Sequence, residues 1–495
     1  MDKTKSKPNI GQKWYKHFDR ILSDKTANQF YESVVLDADK VVKYRFHPFI
    51  LRYQESKIYH RAQRNHRSYV DYKKRPISLV AHHDELVYSH YSATLNDSYE
   101  DYLDRNHLFK VPTAYRKRLK GSNITAAKEI FDAIVNLDDC WIIKGDFKHF
   151  FDNIRHSILR KNLCKVLNVT KLPADWAAIF KSLTKYRYVK KTELEPAMKV
   201  VFPERNKSDY YTKSHQELGT LLHSGQVKLY GPNQLGIPQG TAISAVLANI
   251  YMVELDAKIN QLVAAAGGIY RRYSDDFVIV IPKAAHQTEA ALDDFITTVK
   301  TVCSTATKLT IETHKTKVFS YRSVDGINRK FDHQFHPAWF DYLGFLFNGK
   351  VVRMRPKSIY KFHYKSKKML RHIRKSQVDR FKFENQKSFD WNVHFHKVWF
   401  KNAIVDCENS EFKQLLVKTR INKDRQILSH NIPQKRIATK MYLTHRRYGE
   451  KYSMVGYAKR AQRIMSSQNN KYQVQIWQPI SDQITKNQRY RKGLF

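Results

Sequence analysis

Two periods alternate through the middle of the chain, and their order predicts an α+β arrangement. Residues 140–147 (CWIIKGDF) are a short apolar run suited to a buried strand, and Phe150, Ile154, Ile158, Leu159, Leu163 and Val166 then return at helical spacing. Residues 193–224 are polar and without a period, so a surface excursion is expected there. LGIPQGTAIS opens a helix with Ile243, Val246, Leu247, Ile250, Val253 and Ile259 on one face. IYRRY and FVIVI are separated only by Ser274, Asp275 and Asp276, which predicts a hairpin. Leu292, Phe295, Ile296, Val299, Val302 and Cys303 mark a further amphipathic helix before the strand-like LTIE and KVFSY. Strand, helix, hairpin, helix, strand is a split βαβ order, an antiparallel sheet backed by helices on one face.

The flanks read differently. Residues 1–75 are Tyr-rich, basic and weakly periodic, and are expected to form a basic N-terminal extension of mixed helices. Residues 76–349 form the candidate catalytic body. Residues 350–495 carry 35 Lys and Arg against 9 Asp and Glu, a basic module whose stretches KSIYKFHYKSKKMLRHIRK and RIATKMYLTHRRYGEKYSMVGYAKRAQRIM look helical with cationic faces.

Charge narrows the partner. The 495 residues hold 88 Lys and Arg against 46 Asp and Glu, a net +42, which points to a polyanion. The 30 Tyr and 27 Phe interleaved with those cations suit base stacking, so nucleic acid is favoured over an anionic membrane surface. No apolar run approaches a membrane span, and Cys140, Cys164, Cys303 and Cys407 stand apart from one another, so a cytoplasmic protein with reduced thiols and no membrane partner is expected. The chain has no zinc cluster, no H-E-x-x-H, no Walker loop and no G-x-G-x-x-G fingerprint.

Other residues must then carry the chemistry. Asp146 at a strand end and Asp275 and Asp276 in a hairpin offer three carboxylates that converge if the strands are neighbours, although Asp also favours hairpin turns for backbone reasons. Clustered carboxylates need compensating charge, and divalent metal supplies it. Mg²⁺ prefers carboxylate and phosphate oxygens, and two ions can activate a 3′-hydroxyl while neutralising a departing pyrophosphate, which suggests nucleotidyl transfer.

The runs Asp146-Phe-Lys-His-Phe-Phe-Asp152, Gly236-Ile-Pro-Gln-Gly240 with Ser244, and Tyr273-Ser-Asp-Asp276 resemble the successive A, B and C motifs of reverse transcriptases. The resemblance begins near VPTAYRKRLKGSN, continues through THKTK and FDYLGFLFNGK, and covers about half the chain. It implies a right-hand polymerase with fingers and palm in residues 76–349 and a thumb-like helical domain in residues 350–495. It implies that Asp146 and Asp275 ligate two Mg²⁺ ions, or Mn²⁺, with the Phe147 carbonyl completing one shell and Asp276 near the primer end. Phe151 matches the steric gate that excludes a 2′-hydroxyl, against a plain core role beside Phe150. Gln239 would lie beside the incoming nucleotide, with Ser244 and Asn249 fitting the same motif, and Lys315 would meet the pyrophosphate. The run Arg116, Lys117, Arg118 and Lys120 holds the fingers-like position for triphosphate or template, with Arg116 and Arg118 the candidates. Leu343 and Gly344 would form the primer grip, or a plain strand with a close-packing glycine.

Within the family, retron enzymes are similar, but this chain has Ala126-Ala127-Lys128 and Met454-Val455-Gly456 where they carry other runs. What remains resembles the bacterial defence-associated lineage, the abortive-infection and unknown-group enzymes. That resemblance implies an RNA-directed DNA polymerase of antiphage defence, with RNA template, DNA product and deoxynucleoside triphosphates as partners and a noncoding RNA as template or scaffold. Three alternatives stay open: an RNA-binding scaffold or sensor on a polymerase fold, a retron-type, untemplated or protein-primed enzyme, and an RNA-dependent RNA polymerase. Self-association is left open.

Overall fold

The computed structural model describes residues 15–60, 69–312, 316–331, 334–385, 442–443, 453–468 and 471–493. In chain order the strands are β1 (Phe49–His60), β2 (Tyr69–Leu79), β3 (Asp139–Asp146), β4 (Tyr188–Lys190), β5 (Ile269–Tyr273), β6 (Asp276–Pro282), β7 (Lys317–Arg322), β8 (Gly326–Phe331), β9 (Gln334–Pro337), β10 (Phe340–Tyr342), β11 (Phe345–Phe347), β12 (Val351–Met354) and β13 (Gln473–Gln475). They form three sheets, ordered β2-β1-β4, β5-β6-β3-β7-β8-β9 and β10-β11-β12-β13. Among the described residues no helix is long and apolar enough to cross a membrane.

The six-stranded sheet explains the apolar runs. Cys140 to Ile143 of β3 and Phe277 to Ile281 of β6 are all buried, as central strands with both faces covered must be. The helix Glu289–Thr307 buries Leu292, Phe295, Ile296, Val299 and Cys303, and the Thr288 side chain caps its N-terminus by accepting from the Ala291 amide. The helix expected after LGIPQG is two helices, Ser244–Tyr251 and Val253–Ala265.

The chain divides into two compact units, one of residues 1–120, 144–279 and 286–316, the other of residues 121–143, 280–285 and 317–495. The first unit corrects two expectations. Residues 49–60 and 69–79 are not helical: β1 and β2 pair antiparallel over a long register, from Ile50 opposite Leu79 to His60 opposite Tyr69. Beyond Leu51 and Ser78 the described side chains of this arm are mostly exposed on both faces, so no inside–outside alternation marks it in the sequence. Residues 193–224 are not a free excursion either. The helices Lys191–Val201 and His215–His223 bury Leu194, Met198, Leu218 and Leu221 in a cluster with Phe18, Ile50 and Val189. Each carries too few turns for a period to show.

In the second unit the helix Asn123–Leu137 opens with a capping box between Ser122 and Thr125 and sets the Phe131 ring against Phe347, 4.8 Å between centroids. The strand β13 pairs in parallel with β12, so residues near the C-terminus complete the sheet that begins at Phe340. The described part of the basic module contains the helices Pro356–Asn385, Met454–Ser466 and Trp477–Lys492. Much of the stretch from Arg436 to Lys451 lies outside the described residues.

Candidate active site

The acidic positions sit where neighbouring strands end. Asp146 is the last residue of β3, Asp276 the first of β6, and Asp275 lies in the two-residue turn that joins β5 to β6. Ser274, the first turn residue, has φ +61°, as a two-residue turn of the hairpin class needs when its twist is to match the strands. Because β6 and β3 are adjacent, the turn brings Asp275 to the Asp146 side chain. Burial pushes the Asp275 carboxyl above its ordinary value, and the charge of Asp146, its hydrogen bond and the charge of Asp276 push the same way. Such a carboxylate pair calls for a cation.

Among the described residues no three His, Cys, Asp or Glu side chains surround one point as a ready metal cage. Mg²⁺ does not require one, because it is commonly bound by one or two carboxylates together with substrate phosphates and water. The all-oxygen donors and the raised Asp275 carboxyl fit that chemistry, with Asp146 and Asp275 as holders and Asp276 beside them. Phe147 is packed between Phe150 and Phe277, at 6.3 and 5.6 Å between ring centroids. Its backbone bridges Ile311, and the bonds of this bridge run from the Glu312 amide to the Asp146 carbonyl, 2.8 Å, and from the Lys148 amide to the Thr310 carbonyl, 2.9 Å.

Gly145 shows how closely β3 and β6 approach, since a Cβ there would lie 2.2 Å from Cζ of Phe277. Gly145→Ala is therefore expected to destabilise the fold by about 1–3 kcal/mol through overpacking. It should also slow synthesis by disturbing the residues next to Asp146 and Asp276. Thermal unfolding and primer extension measure the two effects.

The second motif is clasped to the first by backbone bonds. The Gly236 amide donates to the Ile154 carbonyl, 2.8 Å, and the Ile237 amide to the Phe151 carbonyl, 3.1 Å. Phe151, half-buried on the short helix Phe150–Asn153, meets the Phe150 ring edge-on at 5.4 Å. The Gln239 carbonyl accepts from the Ser78 amide, 2.7 Å, while its side chain bonds Asp152, whose carboxyl burial raises and whose partners His149 and Gln239 partly restore. Gly240 has φ +124°, and a Cβ there would meet the Ser78 carbonyl at 2.6 Å, so the residue is confined to glycine. Ser244 closes the loop, its hydroxyl donating to the Pro238 carbonyl at 2.6 Å. Phe151 and Gln239 thus belong to one clasped pair of loops.

Other expectations need correction. Arg116 is not available to a triphosphate. Its side chain is 1% exposed, and it grips both Glu100 oxygens, Nε to Oε1 at 2.9 Å and Nη2 to Oε2 at 2.5 Å, while Nη1 donates to the Phe109 and Pro112 carbonyls. That is an internal brace. Arg118 remains at the surface, paired with Asp101 at 2.6 Å and Asp104 at 3.4 Å. Lys315 lies outside the described residues.

Within the second unit, Leu343 and Gly344 form no strand. They are the turn between β10 and β11, with φ +47° and +97°. Leucine is strained at positive φ, and Asn123 holds its carbonyl by donating from Nδ2 at 3.0 Å.

Sequence reasoning missed the β1–β2 arm as a source of cations. Lys73, Lys74 and Arg75 are exposed on β2, a few residues before Ser78 meets Gln239. The signal available was the Val, Ile and Tyr content of the segments on either side of the polar run RAQRNHRS. It also missed the partners of Arg272, described below.

A family model described as reverse transcriptase (RNA-dependent DNA polymerase) matches residues 71–347, more than half of the chain. No curated protein matches. Among solved structures, apo telomerase from Candida tropicalis truncated from its C-terminal domain aligns at 10% identity and a TM-score of 0.38, covering 61% of this chain and 53% of that one. Telomerase from Candida albicans in complex with a fragment of telomeric RNA aligns at 13% identity and a TM-score of 0.35, covering 66% and 49%. This chain spans about half the length of those telomerase chains, and at these values the likeness bears on neither substrate nor partner. The three motif segments, the paired acids and the clasped loops all fall within the matched residues, and the chain belongs to the reverse transcriptase family of RNA-dependent DNA polymerases, which are nucleotidyltransferases.

Proposed function

We propose that this chain is a working RNA-directed DNA polymerase, and the observation that carries the proposal is the Asp146–Asp275 contact between a strand end and a hairpin turn. The primer 3′-hydroxyl oxygen attacks the α-phosphorus of a deoxynucleoside triphosphate; the new ester bond forms as the bond to pyrophosphate breaks, and the hydroxyl proton leaves. Two divalent ions held by Asp146 and Asp275 would supply the charge neutralisation this transfer needs. Phe151 lies under the sugar and rejects a 2′-hydroxyl. Gln239, its backbone fixed by Ser78, borders the nucleotide. The arm cations Lys73, Lys74 and Arg75 offer charge to the triphosphate or template in place of the enclosed Arg116.

The helix Pro356–Asn385 adds a nucleic-acid face. Lys357, Tyr360, Lys361, Tyr364 and Lys368 recur at helical spacing and are exposed, Tyr360 at 60% and Tyr364 at 49%, while Phe362 and Leu370 are buried on the opposite side. Replacing either tyrosine by Ala is expected to weaken RNA binding by about 1–3 kcal/mol through lost base stacking. Replacing the three lysines by Gln should flatten the dependence of log affinity on log salt by roughly 2–3 units. Filter binding over a salt series reads both.

The wider setting rests on the resemblance of the motifs and the basic C-terminal module to defence-associated enzymes. There the protein works in bacterial antiphage defence, with a dedicated noncoding RNA as template or scaffold. The deciding experiment sequences the RNA that copurifies with the full chain and the DNA it makes from labelled deoxynucleotides. Templated DNA supports the proposal, and RNA binding without synthesis leaves the scaffold reading in its place.

A further inference from the structure

The turn that carries Asp275 is fastened by a buried ion pair that the reaction itself does not use. Arg272 and Asp256 are both fully buried, with Nε donating to Oδ1 at 2.8 Å and Nη2 to Oδ2 at 2.7 Å. Tyr270 adds a hydroxyl to the same Oδ1 at 3.0 Å. The remaining guanidinium nitrogen, Nη1, donates to Asn249 Oδ1 at 3.1 Å and to the Ser274 carbonyl at 2.9 Å. Asn249 in turn donates to the Ala114 carbonyl at 3.0 Å. The Arg272 backbone is pinned as well, its amide on the Val111 carbonyl at 2.9 Å and its carbonyl accepting from the Thr113 amide at 2.8 Å.

Stability alone does not account for this arrangement. Two charges taken wholly out of water lose hydration that their mutual attraction repays poorly, and apolar residues of similar volume commonly serve as well or better. What an apolar pair cannot do is hold a carbonyl. The Ser274 carbonyl belongs to the same peptide plane as the Asp275 amide, and Ser274 sits at φ +61°, a conformation that an outside contact must maintain. The guanidinium fork spans the two Asp256 oxygens and still reaches that carbonyl, a reach that one ammonium group lacks.

We infer that Arg272, oriented by Asp256 and Asn249, is a positioning residue that fixes the Ser274–Asp275 peptide and so sets the Asp275 carboxylate beside Asp146. The inference rests on the polymerase reading above for its effect on rate, but its effect on metal affinity stands apart from that reading.

Two variants of the full chain test it. Arg272→Lys keeps the charge facing Asp256 and loses the fork. The double variant Arg272→Met with Asp256→Leu removes both charges at similar volume without leaving one of them buried alone, and is expected to stay folded, the gain from removing the ion pair offsetting the partners lost by Tyr270, Asn249 and Ser274. In each, the Mn²⁺ dissociation constant measured by calorimetry should rise and kcat for primer extension should fall by about 10- to 100-fold, the range that loss of an outer-shell partner produces. At saturating metal, KM for the deoxynucleotide should stay within about threefold, because neither substituted side chain touches the nucleotide. A folded variant with unaltered Mn²⁺ affinity and kcat overturns the inference, and so does loss of folding in both variants, which would make the pair a support of the fold alone. Should the unaltered protein make no DNA, the polymerase reading falls while the calorimetric comparison still decides the role of Arg272.

Discussion

Asp275→Asn is expected to reduce DNA synthesis by about 10³-fold or more, a loss near 4 kcal/mol of transition-state stabilisation at 1.36 kcal/mol per factor of ten. The substitution keeps the shape of the side chain and removes the charge that faces Asp146. The same change should stabilise the fold at neutral pH. In the native chain burial and the neighbouring acids raise the Asp275 pKa above its unfolded value of 3.8, so its ionised form is less at home in the folded protein than in the unfolded one. Its contribution is fully present below that unfolded value and is lost as pH rises through the folded value. Asn carries no such penalty, so the variant should melt higher at pH 7, and the gain should vanish below about pH 4. RNA affinity should be unchanged. Primer extension, melting curves at two pH values and filter binding together separate a lost catalytic charge from a damaged fold. Residual synthesis near the unaltered level would remove Asp275 from the catalytic set.

Phe151→Ala is expected to relax sugar selection by about 10²-fold, read as the ratio of kcat/KM for deoxynucleotides over ribonucleotides. The ring is only half-buried and stands beside the Gly236–Gly240 loop, which makes it the exposed member of the Phe150–Phe151 pair. Phe150, buried at 3% exposure, should behave otherwise, with Phe150→Ala costing about 3–5 kcal/mol of stability as a core truncation. If the unaltered chain already takes ribonucleotides as readily as deoxynucleotides, the gate assignment fails and the RNA-polymerase alternative returns.

The two central strands of the six-stranded sheet, β3 and β6, were legible because both their faces are buried and they read as apolar runs, whereas β8 and β9, half-exposed or exposed, were not. The hairpin of Asp275 and Asp276 was legible because its two strands leave almost no room between them. The β1–β2 arm and the helices of residues 191–223 were not, for opposite reasons. The arm buries too little to alternate, and the helices are too short for their buried positions to show a period.

Local pattern along the chain was enough to set the positions of the acids, the order of the loops that flank them and the excess of positive charge. These are local facts: a strand end, a two-residue turn and a count of cations need no partner to be read. Which charges are neutralised inside the protein came from the folded arrangement. Arg116 and Arg118 stand two residues apart in one basic run, yet one is enclosed by Glu100 and the other lies at the surface, and Arg271 and Arg272 are adjacent while Arg272 is the fully buried partner of Asp256. A side chain's charge is written in the sequence, but its solvation and its counter-charge come from residues far along the chain, and those set whether it holds a backbone or meets a ligand.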